Sequence, residues 1–251
     1  MTQIQNNNIT TYDKGSVKTR DLIPTSNLLG EGNEGSVFQH ANHFNWVVKK
    51  SKTSLREEYL IGSMINHPNI VKTHKLFIKT YPSNPNIQKY KLVMEKIQGE
   101  HLNNFFEKKL PDATVKSLLE QARSCCLYLF DNQISWGDLH AENTYIDAKN
   151  GHLTIADLGF WHRQTTKSLD EQAIDLMNNA SGMIKNILAV SNLTSPAKAR
   201  FAGPFSNKSL KIMEVTPLTK YRLWGKNGEE IRKDLDQYFI KIIQNFSSIV
   251  I

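Results

Sequence analysis

The hydrophobic pattern of this chain changes once, near Gln98-Gly99. Before that point apolar and polar residues alternate, which indicates β-strands, over residues 26–50, 70–79 and 88–95. One stretch of helical spacing interrupts them, at 54–66. After that point helical spacing dominates, at 101–108, 112–131 and 229–247. A β-rich segment followed by a mainly helical one predicts an α+β fold in two parts.

The first residues of the chain differ from the rest. Residues 1–22 are polar, rich in Asn and Thr, and lack the apolar stretch that a Sec-type signal peptide needs. We expect a disordered tail there, with a leader for a non-Sec bacterial export system as the sharper alternative. The rest of the chain then divides at the change of pattern, into residues 23–97 and 98–251.

Composition narrows the partners only slightly. The 251 residues include 31 Lys or Arg and 24 Asp or Glu, which gives a net charge of +7. This balance suits a nucleic acid, a membrane surface or a phosphorylated ligand equally well. No apolar run is long enough to span a membrane. The adjacent Cys125 and Cys126 fit a buried helix rather than a disulfide scaffold or a zinc site, which indicates a reducing compartment.

A glycine-rich motif lies in the β-rich part. Gly30, Gly32 and Gly35 form a G-x-G-x-x-G string that is followed by Val37. The same string opens Rossmann units, where a helix follows it, but here the next residues look like two strands and a turn. A β-hairpin is therefore expected. Its glycines would let backbone N–H groups approach phosphate oxygens.

A lysine and a glutamate follow at a suggestive spacing. The strand that begins at Trp46 ends in Lys49 and Lys50, and Glu58 lies on the next predicted helix. A helix carboxylate that faces a strand lysine would hold its ammonium against phosphates. A surface ion pair of no functional importance would show the same spacing.

The helical part carries polar loop residues on either side of two short predicted strands, near 144–147 and 152–156. Asp138 and Asn143 lie five residues apart on one loop, and Asp157 follows the second strand. One carboxylate can orient a hydroxyl nucleophile and accept its proton. A second carboxylate and an amide oxygen can ligate Mg²⁺ that bridges ATP phosphates.

In this order, over residues 28–160, the motifs resemble the protein-kinase-like superfamily. The resemblance implies a bilobal protein-kinase-like fold, with a β-rich N-lobe of five strands and one helix, a shortened mainly helical C-lobe, and ATP and Mg²⁺ bound between them. It assigns the glycine-rich loop to Gly30, Gly32, Gly35 and Val37. Lys49, with Lys50 as the alternative, becomes the ATP-binding lysine on its strand beside Val47, and Glu58 becomes its partner.

The same resemblance assigns the remaining site residues. Met94 would be the gatekeeper, the carbonyl of Glu95 and the N–H of Ile97 would face adenine, and Tyr145 would lie under it. A further four residues receive catalytic or metal-binding roles: Asp138 as base, Asn143 and Asp157 as Mg²⁺ ligands, and His140 steadying the γ-phosphate where protein kinases have a lysine. Asp175 would brace the catalytic loop from the following helix.

Departures from the family pattern shape the expected function. Trp136-Gly137 replaces the usual His-Arg, no Ala-Pro-Glu string follows Asp157, and the activation segment is nearly absent. This truncation resembles the minimal Ser/Thr kinases that pathogenic bacteria secrete into host cells. We therefore expect a kinase that phosphorylates a host protein in the host cytoplasm, with the bacterial cytoplasm as the alternative location.

Two other functions stay open. The Gly-Asp-Leu-His pattern at 137–140 also occurs in aminoglycoside and choline kinases, so a small-molecule phosphotransferase is the first alternative. A non-catalytic pseudokinase scaffold is the second. The basic residues between Lys208 and Lys233 favour a solvated surface, with an activating host partner as the alternative. No nucleic-acid partner is expected.

Overall fold

The structure is a computed structural model that describes residues 2–6, 9–13, 24–32, 35–81, 83–137, 139–163, 166–192 and 226–250. The chain divides into two compact units. Unit 1 comprises Met1–Ile97 with Asp157–Phe160, and unit 2 comprises Gln98–Ala156 with Trp161–Ile251. The division at Gln98 coincides with the change of hydrophobic pattern in the sequence.

Unit 1 is built on a seven-stranded antiparallel sheet with the strand order β1-β2-β6-β7-β5-β4-β3. Its strands are β1 (Thr2–Asn6), β2 (Ile9–Asp13), β3 (Pro24–Gly32), β4 (Gly35–His40), β5 (Trp46–Ser51), β6 (Thr73–Tyr81) and β7 (Asn84–Glu95). The last five are the strands expected of the N-lobe, and the α+β fold class with a β-rich first part is confirmed.

The first two strands differ from the disordered tail expected over residues 1–22. β1 and β2 form a hairpin, and β2 pairs with β6 along the register Ile9↔Lys79 to Asp13↔Lys75. Without β2, the β6 edge would leave backbone N–H and C=O groups unpaired. The β-branched residues Ile9, Thr10 and Thr11 favour an extended backbone, so this polar segment can add to the edge.

One helix packs on the sheet, as the pattern at 54–66 predicts. Helix α1 (Arg56–Met64) contacts β6, where the hydroxyl of Thr73 donates to the carbonyl of Tyr59 at 3.2 Å. A Cβ on Gly62 would come within 2.5 Å of the Thr73 side chain, so this glycine permits the close approach. The residue that caps the helix is Leu55, whose side chain makes no capping bond.

Unit 2 is mainly helical. Its helices are α2 (Phe105–Lys108), α3 (Asp112–Asp131), α4 (Leu169–Ala189) and α5 (Gly228–Val250), and α3 contacts both α4 and α5. Its short strands are β8 (Glu100–His101), β9 (Ile134–Ser135), β10 (Thr144–Asp147), β11 (His152–Ile155) and β12 (His162–Arg163). Cys125 and Cys126 are buried in α3 as free thiols, and burial raises the pKa of both.

Ion pairs tie α5 to α3. The Arg123 guanidinium lies 2.5 Å from the Asp236 carboxylate, and Arg232 lies 2.7 Å from Asp131. The hydrogen bond with Arg123 lowers the pKa of Asp236. Within the described ranges, no helix combines the length and the apolar character that crossing a membrane requires. The basic residues from Lys208 to Arg222 lie outside the described residues.

Candidate active site

The glycine-rich motif forms the β3–β4 hairpin, which confirms that expectation. Gly32 pairs with Gly35, and Gly30 pairs with Val37. Gly35 has φ +144°, and a Cβ there would lie 2.1 Å from the carbonyl oxygen of Lys50, so only glycine fits. Around Gly30 and Gly32 a Cβ would meet nothing within 4 Å. The two residues between the strands, Asn33 and Glu34, lie outside the described residues.

Strand β5 directs its two lysines to opposite faces of the sheet. Lys49 is buried, and its Nζ lies 2.8 Å from Oε2 of Glu58 and 3.5 Å from Oδ1 of Asp157. Lys50 is half-buried, and its Nζ lies 3.9 Å from the centre of the Phe38 ring. The geometry therefore selects Lys49, and not Lys50, as the lysine paired with Glu58.

The residues predicted to line an adenine share the face that carries Lys49. In the sheet register Val37 faces Lys49, and Val47 faces Met94. Because alternate residues of a strand point to the same side, Val47 and Lys49 project together. Val47 and Met94 are buried, which gives the Lys49 face an apolar lining.

The chain after Met94 is held by backbone hydrogen bonds. The N–H of Glu95 donates to the backbone carbonyl of Lys72 at 2.9 Å, and the N–H of Lys96 donates to the backbone carbonyl of Asn45 at 2.7 Å. The N–H of Ile97 has no partner among the described residues. An N–H at this position is the donor predicted for adenine.

Asp157 adopts an unusual backbone conformation. Its φ is +56°, in the left-handed region that non-glycine residues seldom occupy and that is often found at functional sites. The next residue, Leu158, is fully buried and reaches Gly62 of α1. Burial of Leu158 therefore anchors the carboxylate of Asp157 beside Lys49.

This ionic group can accept a metal-bound polyphosphate. One ammonium, from Lys49, stands between two carboxylates, so the group carries an excess negative charge when all three are ionised. The Asp157 side chain is 27% exposed, whereas that of Glu58 is 1% exposed. Asp157 is thus the carboxylate that a cation can reach, and carboxylate oxygen is a ligand that Mg²⁺ prefers.

The loop of unit 2 is braced by short contacts. Asn143 closes a 3₁₀ turn, Ala141–Asn143, with its backbone N–H donating to the carbonyl of His140 at 3.0 Å. The side-chain nitrogen of Asn143 lies 3.1 Å from Nε2 of His140. Its backbone carbonyl accepts a hydrogen bond from the N–H of Ala156 at 2.9 Å. With the amide nitrogen directed at the histidine, the amide oxygen is the atom suited to a metal. Asp138 lies outside the described residues.

Tyr145 stacks on His101, a residue to which the sequence pattern assigns no role. His101 pairs with Tyr145 across β8 and β10, their ring centres are 4.3 Å apart, and Nδ1 of His101 lies 2.5 Å from the carbonyl oxygen of Glu142. His101 therefore braces both the tyrosine ring and the turn that carries Asn143. No sequence signal marks this contact, because it depends on the pairing of β8 with β10.

The structure thus groups the candidate residues in two sets. Unit 1 brings Lys49, Glu58 and Asp157 together, although the unit 2 stretch Gln98–Ala156 separates Asp157 from the other two in sequence. Unit 2 brings His140, Asn143 and Tyr145 together with His101. Asp175, expected to brace the loop, forms an ion pair with Lys167.

The chain resembles known proteins over part of its length. The family model described as "Protein kinase domain" matches residues 24–186, which is more than half of the chain. The chain is 33% identical over 127 residues to serine/threonine-protein kinase ATG1b of Arabidopsis thaliana, covering 49% of this chain and 17% of that protein. It is 31% identical over 137 residues to the probable serine/threonine-protein kinase zyg-1 of Caenorhabditis briggsae, covering 51% and 18%.

These matches concern one part of much longer proteins, since the chain spans less than a fifth of the length of these curated relatives. Among solved structures, the Cydia pomonella granulovirus kinase PK-1 matches with a TM-score of 0.51. The match covers 68% of this chain and 71% of the viral one at 20% identity. At this identity the likeness concerns the fold.

Proposed function

The chain belongs to the protein kinase domain family, and from this premise we propose that it is an ATP- and Mg²⁺-dependent kinase that phosphorylates serine or threonine hydroxyls of a protein. The observation that carries the proposal is the buried Lys49 ammonium between the Glu58 and Asp157 carboxylates. A surface ion pair would be solvated. Here the lysine side chain is only 9% exposed, and the same face carries the open glycine-rich hairpin and an apolar lining.

Each residue then has one task. Lys49, held by Glu58, binds the α- and β-phosphates, and the hairpin glycines place backbone N–H groups beside them. Asp157 would ligate Mg²⁺, and the family pattern assigns Asn143 as a second ligand. Val37, Val47 and Met94 would pack against the adenine, with the backbone of Glu95 and Ile97 as its hydrogen-bond partners, and the family pattern assigns Tyr145 to the same adenine. Bound Mg·ATP supplies the phosphoryl group that is transferred.

The acceptor side depends on the loop of unit 2. Asp138 orients the acceptor hydroxyl and takes its proton, and His140 steadies the γ-phosphate. Kinase relatives whose names include serine/threonine support a hydroxyl of serine or threonine as the acceptor. That the substrate is a host protein, reached after secretion from a bacterium, rests on the shortened activation segment and remains a prediction.

The test is transfer of radiolabelled phosphate from ATP to protein, in the presence of Mg²⁺, with the chain itself and a eukaryotic cell lysate as acceptors. Asp138→Asn is expected to abolish labelling, and Asp147→Asn, a change in the half-buried carboxylate at the end of β10, serves as the control. Label should be recovered as phosphoserine or phosphothreonine. Equal labelling by the wild type and Asp138→Asn would refute the assigned base.

The same assay separates the alternatives. A small-molecule phosphotransferase would turn over ATP with an amino-sugar or amino-alcohol and leave proteins unlabelled. A pseudokinase scaffold would label neither class of acceptor. Chelation of Mg²⁺ should stop transfer by the wild type. The Asp157 carboxylate lies beside Lys49 but is exposed enough for the cation to reach it.

A further inference from the structure

Four lysines lie together on the face of the unit 1 sheet that is opposite to Lys49. Lys50 faces Lys91 across β5 and β7, and Lys79 faces Lys89 across β6 and β7. Lys89 and Lys91 are two residues apart on β7, so they project to the same side. Directly opposed residues of an antiparallel pair have Cβ atoms about 5 Å apart. These four residues, the lysine cluster, therefore concentrate positive charge in one small area.

Carboxylates of the described residues lie away from this charge. Strands β5, β6 and β7 contain a single acidic residue, Glu95, which lies at the far end of β7 opposite Trp46. Among the ion pairs of the described residues, none involves a member of the cluster. The nearest acidic neighbour in the same cross-strand row, Glu31, lies two strands beyond Lys50 and accepts a hydrogen bond from Ser36.

Aromatic rings are the neighbours of these ammonium groups instead. Lys50 lies 3.9 Å from the centre of the Phe38 ring, and Lys79 and Lys89 lie 5.1 and 5.4 Å from the centre of the Tyr81 ring. A cation over an exposed ring gains only about 0.5–1 kcal/mol. The rings therefore orient the lysines without cancelling their charge.

The excess charge changes the ionisation of two groups on this face. Burial, together with the charges of Lys50 and Lys79, lowers the pKa of Lys91. A hydrogen bond with Lys89, together with the charges of Lys89 and Lys79, lowers the pKa of the Tyr81 phenol. Both directions are those expected beside uncompensated positive charge. Like charges directly opposite each other also destabilise a sheet, so the free protein bears a cost here.

We propose that the lysine cluster binds a ligand with two or more closely spaced phosphate groups. Lysine presents a compact ammonium charge that suits phosphate oxygens, and each phosphate monoester carries nearly two negative charges. Lys79 and Lys89 are exposed, so such a ligand can reach them. The charges are grouped rather than spread along a track, which favours a compact oligophosphate over an extended nucleic acid strand.

The test uses the full chain, titrated by calorimetry with tripolyphosphate at low salt. The cluster variant is Lys79→Gln with Lys89→Gln, and the control is Lys116→Gln with Lys149→Gln, two exposed lysines of unit 2. We expect the cluster variant to bind about tenfold more weakly or worse, because the loss of even one charge-assisted hydrogen bond costs about that factor. Thermal unfolding of each variant checks that the fold is retained.

A second variant separates this site from the proposed ATP site. Lys49→Met, on the other face of the sheet, should leave tripolyphosphate binding at the cluster unchanged. A vesicle arm distinguishes the source of the phosphates: sedimentation with phosphatidylcholine vesicles that contain phosphatidylinositol bisphosphate, against vesicles of phosphatidylcholine alone. If the wild type binds tripolyphosphate and the cluster variant does not, the ligand is a soluble oligophosphate. If the cluster variant loses only the binding to vesicles, the phosphates belong to a lipid headgroup.

Three results would overturn the proposal. The first is equal binding of both probes by the wild type and the cluster variant. The second is no binding of either probe by the wild type. The third is tighter binding of a short oligonucleotide than of tripolyphosphate. None of these results bears on phosphoryl transfer, so the proposed kinase function would stand or fall separately.

Discussion

The two faces of the unit 1 sheet treat neighbouring lysines in opposite ways. Lys49 is buried between two carboxylates, whereas Lys50, the next residue, belongs to a group of four lysines that form no ion pair within the described part of the chain. The difference follows from the alternation of side chains along a strand, because a single residue step exchanges the face. The chain therefore separates a neutralised lysine, suited to a metal-bound nucleotide, from an uncompensated group that is suited to a bare anion.

The largest expected effect comes from removing a carboxylate beside Lys49. Glu58→Gln should lower the rate of phosphoryl transfer by about tenfold to a hundredfold and the free energy of unfolding by about 3 kcal/mol, since removal of one partner leaves a buried charge poorly paired. Glu57→Gln, the exposed neighbour on the same helix, should change neither. Steady-state kinetics and urea unfolding measure both. Similar effects from the two variants would place the catalytic importance elsewhere.

A second variant tests what holds the two lysines on their faces. The close approach of Gly35 to the Lys50 carbonyl fits β4 against β5, and a register slip of one residue would exchange the faces of Lys49 and Lys50. Gly35→Ala should cost about 2 kcal/mol of stability, because of the positive φ and the backbone contact. Gly30→Ala, in open space, should cost less than about 0.5 kcal/mol. Chemical denaturation of both compares them; equal losses would contradict the geometry of the hairpin.

The smallest expected effect concerns the lysine cluster on the opposite face of the sheet. Lys91→Gln should raise the free energy of unfolding by about 0.5 kcal/mol at low salt, because it relieves repulsion from Lys50 and Lys79. The gain should shrink as salt screens the charges. Lys52→Gln, an exposed lysine outside the cluster, is the control. A loss of stability at low salt would indicate that Lys91 contributes packing or pairing rather than repulsion.

Much of the fold follows from the sequence. The five strands β3–β7, helix α1 and the hairpin at Gly30–Gly35 follow from alternation, helical spacing and glycine position. The placement of β1 and β2 does not, because a polar segment pairs with an edge only once that edge exists.

The candidate site was predictable to a similar degree. The order of the motifs predicts that Lys49, Glu58 and Asp157 belong to one site, but the choice between Lys49 and Lys50 requires the strand register. The stacking of His101 on Tyr145 and the lysine cluster also depend on pairing between strands that are distant in sequence. Such pairing is a tertiary property, and no local pattern announces it.

The most direct test of the account compares two adjacent residues. Lys49→Met and Lys50→Met are measured side by side for labelling of protein by radiolabelled ATP and for binding of Mg·ATP. Lys49→Met should reduce labelling about a hundredfold or more and weaken nucleotide binding, because its ammonium is the group expected to hold the phosphates. Lys50→Met should retain activity near that of the wild type. Loss of activity in Lys50→Met with retention in Lys49→Met would contradict the assignment of the nucleotide site to the Lys49 face.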